Sequence, residues 1–183
     1  MIELRFHGRG GQGAVIASKI LACAIFKEGR FVQSFPKFGV ERRGAPVEAF
    51  LRVDEDRIYV RNNIYRPDHL IVLDPTLIDA VDVTSGLKEG GTILINSDAG
   101  PERYEKLDRF RVACVDASSI ALEYHLGSRQ SPIVNTAILG AAARALGIVK
   151  IDHVVEAILE EVPFKGESNA RAARDAFENT RMN

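Results

Sequence analysis

Ile2-Glu3-Leu4-Arg5-Phe6-His7-Gly8-Arg9-Gly10-Gly11-Gln12-Gly13-Ala14-Val15-Ile16, at the head of the 183-residue chain, sets its architecture. Ile2, Leu4 and Phe6 alternate with Glu3, Arg5 and His7, the period of a strand. Glycines then break the pattern, and Ala14 to Lys27, rich in Ala, Ile and Leu, reads as a helix that stops near Gly29. Phe31 to Ser34 resumes as a strand. Strand, glycine turn, helix, strand opens a βαβ unit, and such a unit implies a parallel sheet.

Downstream, Pro46 to Val53 and Arg57 to Val60 read as two strands of a hairpin turning at Asp54-Glu55-Asp56. His69 to Leu73 is a uniformly apolar strand ended by Asp74-Pro75, the look of a buried parallel strand. Leu77 to Leu87 holds a helix, and Thr92 to Ile95 and Arg111 to Val115 are further strands. Asp116 suits the cap of a helix from Ala117 to His125. Helices follow over Asn135 to Leu146, Ile151 to Val162 and Ser168 to Arg181. The expectation is one α/β domain over residues 1–183: a Rossmann-like, doubly wound, mostly parallel sheet with helices on both faces and an inserted β-hairpin.

Composition narrows the function. With 24 basic and 25 acidic residues the net charge is −1, so nothing drives the chain toward nucleic acid or an anionic membrane. No apolar run reaches the roughly 18 to 20 residues of a membrane span, and the first residues read as a strand and not a signal peptide, so a cytoplasmic protein is expected. The two cysteines, Cys23 and Cys114, lie in apolar stretches and read as buried free thiols. They are too few for an iron–sulfur cluster, and the histidines at positions 7, 69, 125 and 153 are scattered, so no metal site is expected. No nucleophile–base arrangement or carboxylate pair stands out, and no catalytic residue is assigned.

Gly8-Arg9-Gly10-Gly11-Gln12-Gly13 satisfies G-x-G-x-x-G between a strand and a helix. Glycines let a ligand approach the backbone, the helix start offers unpaired N–H groups, and Arg9 can add a charge-assisted bond to a phosphate. A tight βα turn that needs glycine only for packing is the other reading. A nicotinamide site wants an acidic residue roughly 20 positions on; here the second strand ends at Gln33-Ser34 and Glu28 falls too early. No Lys-Ser or Lys-Thr follows the glycines, which excludes a Walker loop.

Ser34-Phe35-Pro36-Lys37-Phe38-Gly39-Val40-Glu41-Arg42-Arg43-Gly44-Ala45-Pro46 is the most unusual stretch. It leaves the carboxyl end of the second strand, the edge where open α/β sheets bind ligands and where the glycine turn also emerges. Two arginines there suit a phosphorylated ligand, and exposed aromatics suit a ring or a partner. A solvated turn with internally paired arginines is the plainer reading.

Together with Asn135-Thr136-Ala137-Ile138-Leu139-Gly140, these two motifs resemble, in order and spacing, the gamma subunits of the 2-oxoacid:ferredoxin oxidoreductases over nearly the whole chain. The Phe-Gly-x-Glu-Arg-Arg-Gly form is similar to the pyruvate and branched-chain enzymes, where the 2-oxoglutarate type carries Pro-Glu-x-Arg-Gly-Gly. The resemblance implies oxidative decarboxylation of pyruvate first and 2-oxoisovalerate second, with coenzyme A as acyl acceptor and electrons passed to ferredoxin. It implies alpha, beta and delta subunits that carry thiamine diphosphate, magnesium and [4Fe–4S] clusters, none held by this chain. It also implies site roles. Gly8, Gly10, Gly11, Gly13 and Gln12 form a nest that receives a coenzyme A phosphate or packs on the catalytic subunit. Arg42 and Arg43 neutralise coenzyme A phosphates or pair across the interface. Phe35, Pro36 and Phe38 wall a channel beside Ser34 and Glu41, and Asn135 and Thr136 open a helix and hydrogen-bond the loop. A free-standing nucleotide-binding oxidoreductase and a non-catalytic scaffold are the alternatives.

Overall fold

A computed structural model describes residues 1–37 and 42–183. Its seven-stranded sheet has the order β2-β3-β1-β4-β5-β6-β9, with β1 Ile2–Arg9, β2 Phe31–Pro36, β3 Pro46–Asp54, β4 His69–Val72, β5 Thr92–Asn96, β6 Arg111–Val115 and β9 Arg181–Met182. β1, β4, β5 and β6 pair in parallel, while β3 runs antiparallel to both β1 and β2, and β9 antiparallel to β6. Five of the seven strands therefore point the same way, and the mostly parallel α/β sheet is as expected. A two-stranded ribbon, β7 Gly127–Ser128 and β8 Ser131–Pro132, stands apart.

The alternation in the strands assigns the two faces. Leu4 and Phe6 of β1, Ile71 of β4, Leu94 of β5, and Ala113 and Val115 of β6 face a helical layer of α1 Ala14–Phe26, α3 Ala117–Glu123, α4 Ala137–Leu146, α5 Ile151–Glu161 and α6 Gly166–Glu178. Burying each of the larger side chains contributes roughly 1.5–3 kcal/mol. Leu70, Val72, Ile93, Ile95, Val112 and Cys114 face the reverse side, covered by Leu107 and Phe110. Among the described residues the reverse side carries only a 3-10 helix, Pro101–Leu107, and a one-turn α2, Leu77–Ala80, so the helices on the two faces are unequal. Beside this apolar cover, β1 turns Arg5 and His7 to the reverse side, where both are buried. Arg5 Nη2 donates to the carbonyls of Val83 and Ser85 at 2.8 and 2.7 Å.

Several expected elements come out differently. β3 inserts between β1 and β2, so the first two parallel strands are not neighbours. The hairpin is β2–β3; Arg57 to Val60 form no strand, since both edges of β3 are taken. Arg52, buried in β3, holds the following segment instead, donating to Asn62 O at 2.8 Å while pairing with Glu3 at 2.9 Å. The helix expected over Leu77 to Leu87 ends after one turn, and Asp82 Oδ1 closes the next turn by accepting from Thr84 N at 3.2 Å. α4 starts at Ala137, two residues later than expected. α6 ends at Glu178 because Asn179 Nδ2 and Thr180 Oγ1 donate to the carbonyls of Asp175 and Ala176, which frees Arg181 and Met182 to pair with β6. Asp116 caps α3 as read, accepting from Ser119 N at 2.9 Å. Of the two thiols Cys114 is buried, whereas Cys23 is half-buried, its Sγ 3.7 Å from Glu161. No described helix is long and apolar enough to cross a membrane.

Candidate functional site at the carboxyl edge of the sheet

The glycine turn and the basic loop meet at one rim. Gly10 and Arg43 form an isolated parallel bridge. Gly10 N–H donates to Ala45 O at 2.9 Å, Gly44 N–H donates back to Gly10 O at 3.0 Å, and Ala45 N–H donates to Arg42 O at 3.0 Å. A Cβ on residue 10 would lie well inside contact of the Arg42 carbonyl oxygen, so this closeness requires glycine. Arg42 and Arg43 sit exposed at the rim.

The polar groups of the turn are turned inward. Arg9 Nε donates to Asp74 Oδ2 at 3.1 Å, its Nη2 to Thr76 Oγ1 at 2.8 Å and its Nη1 to Gly44 O at 3.1 Å. Gln12 Oε1 accepts from Arg9 N at 2.7 Å, and its Nε2 donates to Asp74 Oδ2 at 3.1 Å. Burial pushes the Asp74 carboxyl up, but the hydrogen bonds from Thr76 and Gln12 and the Arg9 guanidinium outweigh it and hold the group below its ordinary range. Arg9 is thus a strut between β4 and the basic loop. The N–H groups of Arg9, Gly10 and Gln12 are all engaged within the chain. What faces outward at the turn is exposed Gly11. Asp74 and Thr76 were legible only as a turn after a strand; their tie to Arg9 needs the fold.

The remaining expected residues divide. Ser34 Oγ lies 2.9 Å from Ser18 Oγ and ties β2 to α1. Phe35 packs on Phe50, centroids 5.2 Å apart, with the Arg52 guanidinium over its ring at 5.3 Å, and Pro36 pairs with Ala49. Phe38 and Glu41 lie outside the described residues. Asn135 packs against Gly13: a Cβ there would come within 2.6 Å of Asn135 Nδ2, and the backbone has φ +78°. Thr136 turns from the loop to α6, donating to Asn169 Oδ1 at 2.6 Å, because Asn169 is itself fixed by donating to Lys165 O at 2.9 Å. Beneath the rim, His7 is buried and accepts from Arg5 Nε at 3.0 Å. Burial and the Arg5 charge pull its pKa down to about 4. No cluster of three His, Cys, Asp or Glu side chains suited to a metal occurs among the described residues.

Known proteins are similar to this chain over nearly its whole length. The family model described as pyruvate ferredoxin/flavodoxin oxidoreductase matches residues 3–179. The pyruvate/ketoisovalerate oxidoreductases common subunit gamma of Thermococcus kodakarensis is 56% identical over 184 residues, covering 98% of this chain and 97% of that one. The pyruvate synthase subunit PorC of Methanothermobacter marburgensis is 52% identical over 179 residues, covering 97% of each. The crystal structure of pyruvate oxidoreductase subunit PORC from Thermotoga maritima superposes with a TM-score of 0.81 at 33% identity, covering 99% of this chain and 97% of that one. The motif resemblance and the whole-chain similarity agree, and this chain belongs to the pyruvate ferredoxin/flavodoxin oxidoreductase family.

Proposed function

We propose that this chain is the gamma subunit of a 2-oxoacid:ferredoxin oxidoreductase acting on pyruvate or on 2-oxoisovalerate, and that its rim closes the coenzyme A side of an active site on neighbouring subunits. The observation that carries this reading is the backbone bridge between Gly10 and Arg43, which fixes two exposed arginines beside the glycine turn at the carboxyl edge of β1 and β4. Ligands of open α/β sheets gather at that edge. Arginine forks match phosphate oxygens, and coenzyme A is rich in them.

The geometry divides the labour among the residues. Arg9 and Gln12 are held by Asp74 and serve as scaffold. Phosphate contact falls to Arg42 and Arg43, with Gly11 the open end of the turn. Phe35 is committed to Phe50 and Arg52, which leaves it the role of a stiff base for the loop that follows. Decarboxylation and electron transfer are the chemistry of thiamine diphosphate and iron–sulfur clusters on the partner chains. This chain orients coenzyme A and excludes water from its approach. Substitution of Arg42 and Arg43 by Ala in the assembled enzyme is expected to raise the apparent KM for coenzyme A about 10- to 100-fold, from a loss of roughly 1.5–3 kcal/mol in charge-assisted bonds. Oxoacid-dependent cluster reduction without coenzyme A survives. Unchanged coenzyme A kinetics would remove the arginines from this role.

A further inference from the structure

A polar cleft of about 220 Å³ opens on the reverse side of the sheet. Arg5 of β1 lines it, four residues before Arg9 and so roughly 13 Å along the strand from the rim. Arg5 is only 6% exposed. Its Nε donates to His7 Nε2 at 3.0 Å and its Nη2 to the carbonyls of Val83 and Ser85, while Nη1 has no hydrogen-bond partner among the described residues. Nη1 is not sealed in the interior as the orphaned oxygens of Thr92, Asn96 and Asn135 are, so it is the guanidinium nitrogen left to the cleft. Arginines this buried are almost always paired with a carboxylate. Arg52, 1% exposed, obeys the rule with Glu3 at 2.9 Å. Arg5 does not: among the described residues it forms no ion pair, and the histidine it donates to is neutral. Two carboxylates do line the same cleft, Glu48 and Asp82. Burial draws the Arg5 pKa down, and these two charges oppose the shift without reaching ion-pair distance. Glu48 is held by Lys37 at 3.0 Å, and Asp82 Oδ1 accepts from Thr84 N at 3.2 Å and Thr84 Oγ1 at 2.9 Å. Phe50, Ile64 and Tyr65 supply apolar wall.

We infer that this cleft binds a free aliphatic α-amino acid, its carboxylate on Arg5 Nη1 and its ammonium between Glu48 and Asp82. Each requirement comes from a feature of the site. The guanidinium without a counter-charge wants a carboxylate, and a charge-assisted bond from a nitrogen already fixed on its other side loses little freedom in forming. A bare carboxylate would meet Arg5 but stand against two acids. Arg5, Lys37, Glu48 and Asp82 together are neutral, so a ligand that carries both signs leaves the cleft neutral, whereas a bare anion or a bare cation adds an unmatched charge. Ile64, 2% exposed, and Tyr65, 68% exposed, give an aliphatic side chain an apolar surface to cover. The volume lies below the roughly 300–1,000 Å³ of sites for drug-sized ligands, which makes the cleft too small for a nucleotide or for coenzyme A.

The inference does not rest on the proposed function, since the cleft and the rim occupy different parts of the sheet. Titration calorimetry on the assembled enzyme with L-leucine is expected to show saturable binding. Its affinity should exceed by about tenfold or more that of 4-methylpentanoate, which lacks the ammonium, and of 3-methylbutylamine, which lacks the carboxylate. This comparison needs no variant. Asn63→Trp, at a half-buried position of the cleft wall, fills the space and is expected to abolish leucine binding. Glu48→Gln combined with Asp82→Asn is expected to weaken leucine about tenfold or more while 4-methylpentanoate keeps or gains affinity, a reversal that general damage to the fold would not give. Oxoacid-dependent ferredoxin reduction in each variant reports an intact enzyme. No saturable leucine binding up to about 10 mM, or equal affinity for the three compounds, overturns the inference. So does leucine binding untouched by Asn63→Trp, which would put the amino acid at some other site.

Discussion

Gly10→Ala isolates the bridge on which the proposed function depends. The new methyl would overlap the Arg42 carbonyl oxygen and lie 3.0 Å from its carbonyl carbon and 3.3 Å from Arg43 Cα, all backbone atoms without a rotamer to change. Relief to an ordinary C···O separation of roughly 3.3 Å moves the segment by about 1 Å. That displacement breaks or stretches the bonds joining Gly10 to Gly44 and Ala45, each worth about 0.5–1.5 kcal/mol, beyond a steric cost of about 1–3 kcal/mol. The larger effect is on position, since Arg42 and Arg43 ride on the displaced segment. The apparent KM for coenzyme A is expected to rise about 10-fold or more, toward the double arginine variant, because the same charge-assisted bonds are lost. Gly11→Ala is the control. Gly11 has φ +97° and no atom within 4 Å of its would-be Cβ, so Ala there adds about 1–2 kcal/mol of left-handed strain and leaves the rim in place. The assay is oxoacid-dependent ferredoxin reduction titrated with coenzyme A. Wild-type KM in Gly10→Ala, or equal rises in the two variants, would refute the bridge as the device that positions the arginines.

His7, drawn down to about 4 by burial and by Arg5, stays neutral in the folded chain, while its unfolded counterpart titrates near 6.5. As pH falls from roughly 6.5 to 4 the unfolded chain therefore gains a proton that the folded chain refuses, and stability drops by up to about 3 kcal/mol from this group. Urea unfolding at pH 7 and pH 4.5 should show a smaller acid loss in His7→Gln than in wild type; equal losses count against it. Gly140→Ala drives a methyl into the Ala173 carbonyl where α4 crosses α6, and should lower Tm by about 4–10 °C for a cost of roughly 2–3 kcal/mol, read by calorimetry. Burial pushes the Cys114 thiol up to about 12, so iodoacetamide at pH 8 should label Cys114 only after denaturation, as mass spectrometry of the native chain would show.

What the sequence reveals about this fold follows how local each determinant is. The apolar runs of β4 and β5, the Asp116 cap and the glycine stop after α4 act within a few residues, and all are visible in the chain. The insertion of β3 between β1 and β2 is not local. Glu3, Arg5 and His7 form the polar half of an alternating strand, a pattern that normally faces water. Here Arg5 and His7 are buried, because Arg5 finds carbonyls 78 and 80 residues away at Val83 and Ser85, and Arg52 finds Glu3 across the sheet.

The same distinction governs the site. That the two motifs share an edge follows from strand direction alone, since β1 and β2 point the same way even with β3 between them. The partner of Arg9 does not follow from it. A guanidinium beside a glycine-rich helix start reads as a phosphate ligand until Asp74, 65 residues on, is seen to accept from it at 3.1 Å. A carboxylate so placed removes the cation nearest the turn from competition for a ligand and ties it to Gly44 O as well. The positive charge left for an anion is then on the loop and not on the turn. That is why Gly10 serves to let a second backbone approach, and why the arginines that the approach carries to the rim are the residues on which coenzyme A affinity should depend.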